Sequence, residues 1–170
     1  MSEAAAARSP LGPEHVAMIA RGVSAIVASR DAALRPSLMR AVCSTITPDG
    51  SEITVFLARS QSRQLLQDLA ATGQVAVVFS QPSTHRTVQV KAGSISGRAA
   101  GPEDLPALQR YLEAMEYEIC SIGHTAPIVR AMLAFELNDL VAISFAPAEA
   151  FDQTPGPKAG TALPAAGPTP

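Results

Sequence analysis

The residues with the clearest chemical potential lie together in Arg59-Ser60-Gln61-Ser62-Arg63-Gln64. They follow an apolar strand pattern, Glu52 to Ala58, and precede a helical pattern with Leu65, Leu66 and Leu69 on one side. A helix start offers backbone N–H groups without acceptors and a partial positive charge. A guanidinium at that point adds a fork of donors that matches phosphate oxygens. The predicted ligand is therefore phosphorylated, with Ser62 and Arg63 at its phosphate and Ser60 beside them. A second polar set, Thr87, Gln89 and Lys91, alternates with Val88 and Val90. Period-two spacing puts the three polar groups on one strand face, where they need water or a ligand as partner.

Other chemistries lack a pattern. His15, His85 and His124 are scattered and make no metal set, and no C-x-x-C pair exists. Cys43 and Cys120 read as buried free thiols, His15 as a solvated helix residue, and Tyr111 and Tyr117 as packing residues. No Ser-His-Asp order or carboxylate pair stands out.

The chain has 170 residues and 47% hydrophobic residues, enough for one domain with a substantial core. Its formal net charge of −2 gives no basic excess, which argues against a nucleic-acid partner. No apolar run is long enough to span a membrane, and the first residues lack the pattern of a secretory signal, so the expected location is the cytoplasm.

Residues 1–12 read as a disordered leader, 13–150 as the folded domain and 151–170 as a Pro/Gly-rich tail. Helices are expected over Pro13–Arg21, Ser62–Ala71, Pro102–Cys120 and Pro127–Phe135. Strands are expected over 23–29, 35–42, 52–58, 74–80, 86–91 and 139–145, with Ile95 continuing the fifth. Val75 to Phe79 is an unbroken apolar run and should be covered on both faces. This order lacks strict β-α alternation. It predicts a mainly β, α+β fold: a small six-stranded antiparallel barrel with flanking helices.

Four pieces of sequence resemble the pyridoxamine 5′-phosphate oxidase-related proteins, the FMN-binding split barrels. They are Arg35 to Arg40, Leu57-Ala58, Ser62-Arg63, and Arg86-Thr87 leading into Val88-Gln89-Val90-Lys91. The similarity spans about residues 15–100, and order and spacing carry it more than any single piece. The resemblance implies a homodimer with FMN in a groove between the subunits. Arg35, Pro36, Ser37, Leu38, Met39 and Arg40 would then run along the flavin, and Leu57 and Ala58 would offer backbone contacts. Ser62, Arg63 and Gln64 would lie at the phosphate, with Thr87 and Gln89 at the ring or ribityl chain.

The departures concern the substrate. Gln64 stands where the oxidase usually has a second basic residue, and Thr87 where it has glutamine. The oxidase's Tyr-x-x-x-Arg-x-x-x-Ser is missing between Glu103 and Ile122, and the chain has no tryptophan. The resemblance thus implies an FMN-dependent oxidoreductase acting on a small molecule other than pyridoxamine phosphate. The alternative is a dimer that carries flavin, haem or another small ligand without turnover.

Overall fold

The computed structural model describes residues 9–164. Two antiparallel sheets share one core. The larger contains β1 (Ser24–Arg30), β2 (Pro36–Arg40), β5 (Val75–Ser80), β6 (Thr87–Ala92), β9 (Glu149–Asp152) and β10 (Thr161–Ala162), in the order β10-β9-β6-β5-β1-β2. The smaller contains β3 (Cys43–Ile46), β4 (Ile53–Ala58), β7 (Ser96–Ala99) and β8 (Leu140–Phe145), in the order β3-β4-β8-β7. Among the described residues, ten strands in sheets of six and four thus replace the six expected.

Strand alternation places the core. Val27, Val77, Phe79, Val88 and Val90 face inward from the large sheet and meet Ile53, Val55, Leu57, Ile143 and Phe145 from the small one. Helix α1 (Pro13–Ala20) contributes Met18 and Ile19, and α2 (Arg63–Thr72) contributes Leu65 and Leu69. On its other face the small sheet carries Cys43, Phe56, Leu140 and Ala142. These pack against Leu108, Tyr111 and Met115 of α3 (Leu105–Ser121) and Val129 of α4 (Ala126–Met132). The strands covered on both faces are therefore β4 and β8. In β5, Val75, Val77 and Phe79 are buried while Ala76 and Val78 stay half exposed.

The expected strand over 35–42 is two strands. The Ala41 N–H donates to Ala25 O in the large sheet at 2.9 Å, and the Val42 N–H to Phe56 O in the small one at 2.9 Å. The chain changes sheets within that step. Ile95 does not continue β6, because the strand ends at Ala92 and the chain crosses to the other sheet as β7. The expected helix at 127–135 ends at Met132, and 137–139 form a 3₁₀ turn.

Part of the expected tail is sheet. β9 pairs with β6, with Val88 opposite Asp152, and β10 pairs with β9. The expected leader falls largely on residues 1–8, outside the described residues, as do 165–170. Pro10 and Leu11 are buried, and Leu11 joins the core. Cys43 is buried as expected, and burial pushes its thiol up to about 12. Cys120 is exposed, and so is Tyr117 at 75%. His15 is half-buried against Glu14. Helix α2 ends at Gly73 with φ of 66°, and a side chain there would meet the Gly93 carbonyl.

Among the described residues no helix is long and apolar enough to cross a membrane. Ion pairs from Arg98 to Asp104 and, at 3.8 Å, to Glu103 tie the edge strand β7 to the start of α3. Arg98 donates to both oxygens of Asp104 at 2.7 Å, and Asp104 also accepts from the Gly101 N–H. The Arg98 guanidinium holds the Asp104 carboxyl below its usual 3.8. A depressed carboxylate contributes stability that is full above its unfolded value and is lost as pH falls through the folded one. Asp104→Asn should therefore lower stability at neutral pH and flatten the loss below pH 3.8. Urea denaturation at a series of pH values reads this, and parallel acid arms for the two proteins would contradict it.

Candidate functional site

The turn from β4 into α2 is held from outside. The Arg59 N–H donates to Asp139 O at 2.7 Å, the Ser60 N–H to Asp139 Oδ1 at 3.0 Å and Ser60 Oγ to Asp139 Oδ2 at 2.5 Å. Asp139 immediately precedes β8, so the small sheet fixes where α2 begins. Ser60 thus serves the turn and is already partnered.

Ser62 precedes the helix but does not cap it. Its side chain is 2% exposed and its Oγ has no hydrogen-bond partner. The first helical N–H groups, of Arg63, Gln64 and Leu65, find no backbone acceptor. A buried hydroxyl without a partner costs on the order of 1–3 kcal/mol, so its presence calls for an explanation.

Arg63 and Arg59 line one open groove of about 700 Å³ together with Arg98. Leu66 of α2, Ile95, and Val141 and Ile143 of β8 form its apolar floor. Arg98 is committed to Asp104, while Arg59 and Arg63 form no ion pair among the described residues. Arg98 is an addition from the structure, and Arg59, named only as part of the junction, joins Arg63 in the groove. The β4–α2 junction pointed to Arg59, but no local pattern marked Arg98.

Strand alternation divides the segment 35–40 between two faces. Ser37 and Met39 lie opposite Ser29 and Val27, on the core side. Ser37 Oγ donates to Asp68 Oδ2 at 2.6 Å, and Gln64 Nε2 donates to Asp68 Oδ1 at 2.9 Å. Asp68 is 4% exposed and joins β2 to α2 through these neutral donors. It was missed in the sequence, although its four-residue spacing from Gln64 beside Leu65 and Leu69 was visible.

Pro36, Leu38 and Arg40 face the other way, and Leu38 is 63% exposed. Arg40 Nη1 donates to Ser24 Oγ at 2.7 Å. Arg35 precedes β2 and is tied to Asp31: its N–H donates to Oδ1 at 2.9 Å and its Nε to Oδ2 at 2.7 Å. The Arg35 backbone N–H, then its guanidinium, hold the Asp31 carboxyl low.

Arg40 and Gln89 share one row across the outer face of the large sheet. Arg40 lies opposite Ile26, Ile26 opposite Val78, Val78 opposite Gln89, and Gln89 opposite Phe151. Thr87 lies in the row of Ser80, with their hydroxyls 2.8 Å apart. The tail closes this end: the Gln153 N–H donates to Thr87 O, and the Thr87 N–H to Thr154 Oγ1. Lys91 sits over the Phe151 ring, 4.6 Å from its centre. Leu57 and Ala58 are buried in β4 opposite Val141 and Leu140, and the Ala58 carbonyl accepts from Gln61.

The expected site residues therefore form three groups. Arg63 and Ser62 stand at the α2 start, Ser37 and Gln64 meet at Asp68, and Arg40, Gln89 and Thr87 lie on the outer face of the large sheet. Among the described residues no His, Cys, Asp or Glu cluster could hold a metal ion.

No protein-family model matches the sequence, and no curated protein matches it. Solved structures do match in fold. HupZ of Group A Streptococcus is 15% identical over 88% of this chain and 99% of its own, with a TM-score of 0.52. An F420 reductase is 16% identical over 82% of this chain and 98% of its own, with a TM-score of 0.54. A candidate pyridoxamine 5′-phosphate oxidase of Lactobacillus delbrueckii is 16% identical over 83% and 93%, with a TM-score of 0.50. At these identities the likeness establishes the fold.

Asp68→Ala removes the acceptor shared by Ser37 and Gln64. It should lower stability by about 1–3 kcal/mol. Urea denaturation with an unchanged m-value checks this. A variant as stable as the parent would mean that the cluster does not hold α2 against β2.

Proposed function

We propose that this chain, which has the split-barrel fold of the pyridoxamine 5′-phosphate oxidase-related proteins, is an FMN-binding flavoprotein that works as a homodimer. The observation that carries the reading is the start of α2. There a buried, unpartnered Ser62 hydroxyl adjoins helical N–H groups without backbone acceptors and the Arg63 guanidinium, which has no ion-pair partner among the described residues. These groups match what a phosphate monoester needs: several donors, and positive potential from the helix dipole and an arginine.

Each residue has a binding task. Arg63, with Arg59 along the same groove, neutralises the dianion, and Ser62, the residue before Arg63, has an unpartnered hydroxyl to donate. Asp68 sets the α2 start against β2 through Ser37 and Gln64. Arg35 is engaged by Asp31 and has only an indirect part, as an anchor of the β1–β2 turn. The bound flavin would supply the electron-transfer chemistry, while the protein positions and shields it.

Thr87 and Gln89 lie on a different face from the α2 start, so in this reading they reach the flavin from the second subunit. The outer face of the large sheet fits such a pairing. Ile26, Ala28, Ala76 and Val78 are only half-buried and Leu38 is exposed, so this apolar surface is available to a second copy.

The proposed activity is oxidoreduction with a small-molecule electron donor, since the B6 substrate motif is absent from the sequence. A yellow protein that oxidises NADH or NADPH fits the enzyme. A yellow protein without turnover fits the flavin carrier, and a Soret band would replace both with haem.

Arg63→Ala should weaken FMN binding by about 1.5–3 kcal/mol, the range for charge-assisted hydrogen bonds. That corresponds to about a 10- to 150-fold rise in Kd by fluorescence titration. Unchanged affinity in a folded variant would remove the phosphate seat from α2. Light scattering tests the second copy: a monomer that retains tight FMN binding would contradict the shared site.

A further inference from the structure

A separate cleft of about 420 Å³ opens between the end of α1, the strand β3 and helix α3. It is distinct from the α2 groove and has none of its lining residues. Ala20, Gly22, Ala107 and Ala114 make room for it. Gly22 has φ of 89°, and a Cβ there would stand 3.0 Å from the Ala114 Cβ, so the wall between α1 and α3 depends on this glycine. The Tyr111 hydroxyl donates to Val23 O at 2.7 Å and fixes the helix against the strand.

Three features give the cleft a chemical preference. Arg21 and Arg110 both line it, and neither forms an ion pair among the described residues. Glu113 also lines it, but its carboxylate accepts from Gln109 at 2.8 Å and lies beyond ion-pair distance of both arginines. Ser44, 6% exposed, contributes a buried Oγ with no partner. Its strand β3 is an edge of the small sheet, so the ladder serves only one side of its backbone. Two arginines lining one cleft give it positive potential, and a buried hydroxyl is left without an acceptor or donor. A bound oxyanion answers both.

We propose that the α1–β3–α3 cleft binds a small molecule through a phosphate or carboxylate group held by Arg21 and Arg110 and assisted by Ser44. Arginine suits this task because its planar fork pairs with two oxygens at once. The volume admits a compact metabolite rather than a bare ion. This assignment is independent of the flavin reading, since none of the flavin residues lines the cleft.

The test uses the full chain in chloride buffer, titrated separately with inorganic phosphate and with succinate and followed by backbone amide NMR shifts. The expected result is saturable shifts at residues 20–22, 44–46 and 107–114 with at least one of the two probes, and the tighter probe names the head group. The double variant Arg21→Ala/Arg110→Ala should weaken binding about 10-fold or more. Ser44→Ala should also weaken it while leaving stability equal or higher, because it deletes an unsatisfied hydroxyl. Arg63→Ala should leave this binding unchanged. Shifts that never saturate with either probe, equal affinity in the double variant, or loss only in Arg63→Ala would overturn the proposal.

Discussion

The structure depends on the step at Ala41 and Val42, where one strand leaves the large sheet and enters the small one. Ala41 pairs back to Ala25 and Val42 pairs on to Phe56, so adjacent residues belong to different ladders. A backbone buried at such a corner must keep its donors satisfied, and both are. Ala41 and Ala25 are fully buried and small, which lets the sheets come together at this edge. The interior valines of the large sheet then meet β4 and β8, and Pro36, Leu38 and Arg40 of β2 are directed outward. A larger residue at either alanine would push the sheets apart at their point of linkage.

From that corner the chain runs through β4 to the start of α2, and internal contacts there decide which polar groups remain available. Ser60 is held by Asp139, Gln64 and Ser37 by Asp68, Arg35 by Asp31 and Arg98 by Asp104. Each carboxylate takes one or two candidate donors and uses them to fix a turn or an element boundary. What remains is Ser62, Arg63 and Arg59, on a helix end whose place is set from two sides. Prior ordering of this kind reduces the entropy lost when a ligand arrives.

Much of this was legible in the sequence because the strands alternate cleanly. Val88 and Val90 faced the core as their period required, and the four helices began within a few residues of their proline or serine signals. The corner at Ala41 was hidden, since a strand that switches sheets keeps its apolar pattern throughout. The tail strands were hidden for another reason: β9 and β10 are short, lie among glycines and prolines, and owe their form to β6 rather than to their own residues. In the site, Ser62 and Arg63 could be read from a strand feeding a helix. Asp68 and Asp139 could not be assigned their roles, because Ser37 and Ser60, the partners that tie them to other elements, are distant in sequence. Cys120 and Tyr117 were misplaced because α3 is wide open on the side away from the sheet.

The central claim is that recognition at the α2 start is recognition of a phosphate group. Calorimetric titration of the full chain with FMN and with riboflavin isolates that group, since the two ligands share the ring and the ribityl chain. The account predicts tight binding of FMN, much weaker binding of riboflavin, and collapse of the difference in Arg63→Ala. Equal affinity for the two ligands in the unaltered protein, or no affinity for FMN, would contradict it.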